Sequence, residues 1–192
     1  MTETTQIQQL LAEMHIPESE QEDLQRISKI RKINKDEFFV TEGQVPKNFG
    51  IVISGLFRYY YVNDKGDEFT KGFILKGNVL AAYSAMLYQE TSLFSVQALE
   101  DAAILEINYK QWQTLQRNNT FWDKFLIVLL QKGYCVKEKR ERELLLLDAE
   151  TRYKIFLEEF PSLDKRIKLQ IIASYLGIKP ESLSRIRKNM PG

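Results

Sequence analysis

The stretch IIASYLGIKPESLSRIRK, from Ile171 to Lys188, decides how the last part of this chain folds. Its apolar residues have the spacing of two short helices that meet at an angle across Gly177, because glycine adopts the positive φ that such a turn requires. Pro180 suits the first turn of the second helix, where its missing N–H costs no hydrogen bond. The apolar set comprises Ile171, Ile172, Ala173, Leu176, Ile178, Leu183 and Ile186. The pattern predicts a helix-turn-helix.

The outer face of the second helix carries hydroxyls, one acid and several bases. Arginine can pair bidentately with guanine, glutamate can accept from the cytosine amino group, and serine can bond phosphate or base edges. A helix placed in a DNA major groove uses this mixture, although a plain surface hairpin would show a similar pattern. The candidate DNA-binding residues are Lys168, Lys179, Glu181, Ser182, Ser184, Arg185 and Lys188.

Charge is distributed unevenly between this end and the rest of the chain. Residues 161–192 hold seven bases and two acids, a net charge of +5, whereas the other residues hold 20 bases and 24 acids, a net of −4. A basic end on an acidic body favours binding to a polyanion. A solvated helical face would produce the same excess.

The chain divides into three regions with different sequence patterns, and the last of them contains this basic end. Residues from about Gln6 to Ile33 are predicted as short amphipathic helices. From about Phe38 to Ile107, six or more short β-branched and aromatic runs separated by turn signals predict an antiparallel roll of the jelly-roll kind. The fold class is therefore α+β, with a β-roll followed by a long helix and a helix-turn-helix. We expect domains at residues 1–118 and 148–192, joined by the long helix at 119–147.

The long helix carries a partly apolar stripe whose second half runs into the charged sequence KEKRERE. Such a stripe favours pairing with a second copy, although packing against the chain's own roll is an equal alternative. Cys135 lies on this helix and is expected to be a small buried residue.

Composition excludes several classes of function. One cysteine and one histidine, Cys135 and His15, leave no histidine cluster for a cupin enzyme and no nucleophile–base pair, and no phosphate-binding glycine motif is present. We therefore expect no enzyme activity, no metal and no cofactor. No apolar run is long enough to cross a membrane and no secretory signal is present, so a cytoplasmic location is expected.

IASYLGIKPESLSRIRK resembles the helix-turn-helix of the bacterial Crp/Fnr family of transcription regulators, and TEGQVPKNFGIVISGLFRYYYVNDKGDEFTKGFILKGN and VQALEDAAILEI resemble strands of the cyclic-nucleotide-binding fold. The resemblance covers about Phe38 to Lys188. It implies a homodimer joined through the 119–147 helix, double-stranded DNA and RNA polymerase as partners, and base reading by Glu181 and Arg185. The arginine that family members often carry before that glutamate is Pro180 here.

The effector segment departs from the family pattern. Members that bind cyclic AMP carry a glutamate and an arginine at positions matching the neighbourhoods of Ala82 and Ser92, whereas no arginine or lysine occurs between Asn78 and Asp101. A buried phosphate would lack a charge-assisted bond, so we expect no tight binding of cyclic AMP. Family members with iron–sulfur clusters or haem need ligands that Cys135 and His15 cannot supply.

Aromatic and hydroxyl side chains in the roll form either its core or a pocket for an apolar or planar effector of unknown identity. The candidate pocket residues are Tyr59, Tyr61, Phe73, Tyr83, Ser84, Ser92 and Phe94. A regulator without any effector is an alternative. The rival function is a ligand-binding or scaffold β-roll protein whose helical tail does not bind DNA, since the wing that often follows related recognition helices is not expected here.

Overall fold

The computed structural model describes residues 3–190, with side chains from residue 5 onwards. Two compact units are present. Residues 3–61 and 72–127 form the first, called here the roll unit, and residues 62–71 and 128–190 form the second, called here the helical unit. The predicted α+β class is confirmed. Among the described helices, none is long and apolar enough to span a membrane.

Eight short strands build the roll. They are β1 Ser28–Ile33, β2 Phe38–Val40, β3 Asn48–Ser54, β4 Leu56–Val62, β5 Glu68–Leu75, β6 Val79–Leu80, β7 Ser95–Ala98 and β8 Ala102–Asn108. They form two four-stranded sheets in the orders β1-β8-β3-β6 and β2-β7-β4-β5. Gly55 makes the tight connection from β3 to β4 at φ +92°, and a Cβ there would lie 2.5 Å from Ala102 Cβ. Only glycine fits this turn.

Both faces of the first sheet are buried. Successive residues of a strand point to opposite faces, so β8 places Ile104 in a core shared by the two sheets and Leu105 in a second core. That second core lies under helices α1 Glu3–Glu13, α2 Glu18–Arg26 and α4 Tyr109–Asn118. Because both faces of this sheet are buried, its strands appear in the sequence as dense apolar runs.

One part of the roll unit differs from the sequence-based expectation. Residues 28–33, expected to be helical, form β1, because each of them pairs with a residue of β8 from Ser28 opposite Ile107 to Ile33 opposite Ala102. A short helix, α3 Tyr83–Tyr88, lies between β6 and β7, in a segment for which no strand was expected. Its buried residues Ala85 and Met86 join different cores.

The long helix α5 spans Phe121–Leu146, close to the expected 119–147. Trp122 at its start is fully buried, while Ile127, Leu130 and Tyr134 leave 52%, 44% and 67% of their surface exposed. Cys135 is exposed, so its expected burial was wrong. The reason is that the middle of α5 packs against nothing within residues 5–190 on that side of the helix.

Three helices follow in the helical unit. They are α6 Ala149–Glu159, α7 Leu169–Leu176 and α8 Pro180–Asn189, with a 3₁₀ turn at Leu163–Lys165. Asp148 caps α6 by accepting from the Thr151 N–H at 2.8 Å. The buried side chains between these helices are Tyr153, Phe156, Leu163, Ile172, Ala173, Tyr175, Leu176 and Leu183. The tip of the β4–β5 hairpin, residues 62–71, belongs to the same unit and contacts α7.

Candidate nucleic-acid interface

The turn between α7 and α8 is built as its sequence predicts. Gly177 adopts φ +67°, its N–H donates to Ser174 O at 3.2 Å, and the Ile178 N–H donates to Ala173 O at 3.0 Å. This pair of bonds is the Schellman arrangement that ends a helix at a left-handed residue. Pro180 occupies the first turn of α8, after Lys179. The backbone carbonyl of Lys179 accepts from the Ser182 and Leu183 N–H groups at 3.0 and 3.2 Å.

The outer face of α8 is open to solvent. Leu183 is fully buried and Ile186 is half-buried, and they anchor the inner face. Glu181 and Arg185 lie one helical turn apart on the outer face. Both are exposed, and neither forms an ion pair or side-chain hydrogen bond with any residue from 5 to 190. Their polar atoms are therefore available to an external partner.

The other candidate residues lie around this pair. Ser182, Ser184 and Lys188 are exposed on α8, and Lys179 is exposed at its N-terminus. Lys168 is exposed at the N-terminus of α7. Arg187 is not among the candidate DNA-binding residues. Its Nη2 lies 3.8 Å from Asp164 Oδ2, within the same helical unit.

Gln170 was also missed by the sequence reasoning. It is exposed in the first turn of α7, next to Lys168. Its place two residues after the N-cap of α7 could have drawn attention to it.

A cluster of charged side chains ties α5 to α6 and α7. Arg140 donates to the Tyr175 carbonyl and lies 3.9 Å above the centre of the Tyr175 ring. Its Nη1 lies 3.5 Å from Glu143 Oε2, and Glu143 is 3% exposed. Lys139 bonds Glu159 on α6 and lies 3.7 Å from Glu143 Oε1. We call these five residues, Lys139, Arg140, Glu143, Glu159 and Tyr175, the clamp.

The clamp changes the titration of two of its members. The Glu159 carboxylate raises the pKa of Lys139 above its ordinary value, because it accepts a hydrogen bond from the ammonium group. Burial raises the pKa of the Tyr175 phenol to about 12. Both groups therefore keep their protons throughout the physiological range. No clamp residue was singled out from the sequence, since KEKRERE resembles a solvated run.

The candidate effector residues are only partly brought together. Phe94 contacts the edges of Tyr59 and Tyr61, with ring centres 5.4 and 5.9 Å apart. Ser92 is buried and donates to Phe94 O at 2.7 Å. The Tyr59 hydroxyl accepts from the Ala81 N–H at 3.0 Å, and burial raises the pKa of Tyr59 to about 12.

The remaining three residues differ in their burial. Ser84 is exposed, Tyr83 is partly buried against the core under the N-terminal helices, and Phe73 is partly buried in β5. The segment 78–101 brings no cationic side chain to this region. Within the described residues, no group of three or more His, Cys, Asp or Glu side chains is placed to hold a metal ion.

Comparisons with known proteins agree with this geometry. Residues 30–119 match the family described as the cyclic nucleotide-binding domain. The fumarate and nitrate reduction regulatory protein of Vibrio cholerae is 27% identical over 198 residues, covering 94% of this chain and 76% of its own.

Two solved structures share the fold. FixK2 from Bradyrhizobium japonicum has a TM-score of 0.75 at 19% identity, covering 84% of this chain and 83% of its own. A regulator assigned to the Crp/Fnr family, from Eubacterium rectale, has a TM-score of 0.73 at 15% identity, covering 93% and 84%. The Vibrio cholerae protein and the Eubacterium rectale protein are both named as regulators. This chain therefore shares the fold of these two solved structures, and over residues 30–119 it is similar to the cyclic nucleotide-binding domain.

Proposed function

We propose that the protein binds double-stranded DNA as a homodimer and reads its operator with α8 in the major groove. The observation that carries this proposal is the pair Glu181 and Arg185, exposed one turn apart on a helix whose inner face is anchored by the buried Leu183. A recognition helix of this kind contacts base edges with its N-terminal half. RNA polymerase is the partner expected of such a regulator once it is bound.

Each outer residue of α8 has a chemical role in this proposal. Arg185 pairs with the O6 and N7 of a guanine, and Glu181 accepts from a cytosine amino group. Pro180 carries no hydrogen-bonding side chain, so one base contact is absent and the operator differs from that of members with arginine there. The remaining residues hold phosphates or base edges and fix the register. They are Lys168, Lys179, Ser182, Ser184 and Lys188.

The dimer forms through the exposed side of α5. Ile127, Leu130 and Tyr134 repeat at steps of three and four residues and stay open to solvent, which is the spacing of a coiled-coil seam. A second copy placed on this seam buries the apolar stripe. Residues 1–118 then act as the sensing domain, 119–147 as the dimer helix and 148–192 as the DNA-binding domain.

Cyclic AMP does not control this regulator. Segment 78–101 has no lysine or arginine to pair with a cyclic phosphate, and a buried phosphate without a cation loses a strong charge-assisted bond. We assign any effector to the aromatic group around Phe94, which Tyr59, Tyr61 and Ser92 contact, and we keep Phe73, Tyr83 and Ser84 as further candidates. Such a ligand is apolar or planar.

Selection of bound fragments from random DNA, with purified full-length protein, tests the proposal. The expected product is a palindrome whose half-sites lie about one helical turn, or a multiple of it, apart. Affinity for that site should fall steeply with salt, because neutralising phosphates releases counterions. Recovery of unenriched sequence would contradict DNA recognition.

Arg185→Ala gives the residue-level test. We expect a loss of about 1 to 3 kcal/mol at the selected site and a relaxed preference at one base pair of each half-site. Arg142→Ala removes an exposed arginine on α5 and serves as the matched control. Equal affinities of the wild type and Arg185→Ala for all sequences would refute the assigned role.

A further inference from the structure

The clamp fixes the helix-turn-helix on the lower half of α5 through contacts of two kinds. Arg140 holds α7, because its guanidinium both stacks on Tyr175 and donates to the Tyr175 carbonyl. Lys139 holds α6, because it bonds the carboxylate of Glu159. The recognition helix follows directly after α7, across Gly177.

Glu143 makes these two contacts act together. Its carboxylate is almost completely buried and lies between Lys139 Nζ at 3.7 Å and Arg140 Nη1 at 3.5 Å. A buried carboxylate needs its cationic partners, since a lone charge in the interior is strongly unfavourable. Loss of either cation would leave this carboxylate with a single partner, so the two contacts are coupled through Glu143.

Arginine at position 140 has a specific geometric function. Its side chain is 13% exposed, and the planar fork can stack on an aromatic ring and donate in its own plane at the same time. A lysine ammonium carries the charge but has no plane to stack. The contact therefore restricts the rotation of α7 about α5 more tightly than an ion pair alone would.

We propose that Arg140, with Lys139 and Glu143, is a positioning element that sets which half-site spacing the dimer accepts. The inference rests on the proposed function, because it needs two recognition helices joined through α5. With α7 locked to α5 in each protomer, the distance and rotation between the two recognition helices are set. Each base pair inserted between the half-sites shifts one half-site relative to the other by about 3.4 Å and about 35°. Two recognition helices held in fixed positions cannot follow this shift.

The experiment measures binding of full-length protein to a series of DNA duplexes. The duplexes carry the two selected half-sites separated by the selected spacing and by one or two base pairs more or fewer. For the wild type we expect affinity to fall by about tenfold or more on insertion of one base pair, a value that corresponds to about 1.4 kcal/mol. For Arg140→Ala we expect the fall to shrink to about threefold or less.

Three further variants separate positioning from general loss of structure. Arg140→Lys should show an intermediate spacing dependence, since it keeps the charge and loses the stack. Lys139→Ala removes the contact with Glu159. The Lys139 side chain is 51% exposed, so this variant should fold even if Arg140→Ala does not. It should also broaden the accepted spacing. Arg142→Ala, the exposed neighbour, should keep the wild-type profile.

Base preference within each half-site is the second readout. It should be unchanged in the clamp variants, because α8 still presents Glu181 and Arg185. A wild-type spacing profile in Arg140→Ala and Lys139→Ala would overturn the inference while leaving the proposed function intact. Loss of sequence preference by the wild type itself would overturn the proposed function instead.

Discussion

The hydroxyl of Ser174 on α7 is joined to the backbone of Thr70 at the tip of the β4–β5 hairpin. Ser174 Oγ accepts from the Thr70 N–H at 2.7 Å and donates to the Glu68 carbonyl at 2.7 Å. Thr70 is 5% exposed, so water has little access to the amide. One serine hydroxyl therefore satisfies both a backbone donor and a backbone acceptor of the hairpin.

Ser174→Ala should lower the free energy of unfolding by about 1 to 3 kcal/mol, because the Thr70 N–H is left buried without its partner. Urea unfolding measures the loss, and hydrogen exchange should show faster exchange of the Thr70 amide. Ser184→Ala, on the exposed face of α8, is the control and should change stability by less than about 0.5 kcal/mol. Unchanged exchange at Thr70 in Ser174→Ala would show that the contact does not hold the hairpin.

Glu181→Gln should reduce discrimination at one base pair of each half-site, since the amide both donates and accepts where the carboxylate only accepts. Removing a negative charge near the phosphates should also raise affinity for non-specific DNA. Repeating the fragment selection with the variant measures both effects. Glu138→Gln, an exposed acid on α5, should leave the selected sequence as it is in the wild type.

Tyr134→Glu should raise the dissociation constant of the dimer by about tenfold or more, because it places like charges across the two-fold axis of a hydrophobic seam. Sedimentation equilibrium measures the constant. Val136→Glu is the matched control, since Val136 is equally exposed but lies about 160° around the helix from Tyr134. A larger effect at Val136 than at Tyr134 would place the dimer seam on the other side of α5.

Glu106 should make the roll sensitive to acid. Burial alone raises the pKa of Glu106, but hydrogen bonds from Arg31 and Lys29 outweigh it and hold the pKa below the ordinary 4.5. Arg31 Nη1 lies 2.9 Å from Glu106 Oε1, and Lys29 Nζ lies 3.1 Å from Glu106 Oε2. A carboxyl whose pKa is lower in the folded state contributes stability above its unfolded pKa and loses it as pH falls through the folded value.

Unfolding free energies of the wild type and Glu106→Gln, measured from pH 7 down to pH 3, test this expectation. The wild type should lose stability below about pH 4.5 more steeply than the variant does. Glu100→Gln, in the middle of the β7–β8 turn, provides a comparison outside the Lys29–Arg31–Glu106 cluster. Parallel pH curves for the wild type and Glu106→Gln would contradict the assigned role of that carboxyl.

Local chemistry was enough to predict the elements that rest on short-range rules. Gly177 and Pro180 predicted the turn of the helix-turn-helix, because positive φ and a missing N–H restrict the backbone wherever they occur. The short apolar runs separated by turn residues predicted the roll, because the preferences of strands and turns are also short-range. The lack of lysine and arginine between residues 78 and 101 is likewise a property of the sequence alone.

Contacts between distant residues decided the rest. Residues 28–33 became a strand because β8, more than sixty residues later, offered a partner of matching register. Cys135 was expected to be buried and is exposed, since amphipathic spacing does not reveal which stretch of a long helix has a neighbour.

The clamp is the clearest case of this division. The run KEKRERE resembles a solvated surface, yet Glu143 is buried and Arg140 stacks on Tyr175, thirty-five residues further along. The sequence determined that a helix-turn-helix exists and which of its side chains are polar. Only the tertiary structure decided which charges are enclosed, because burial depends on neighbours that a local pattern does not contain.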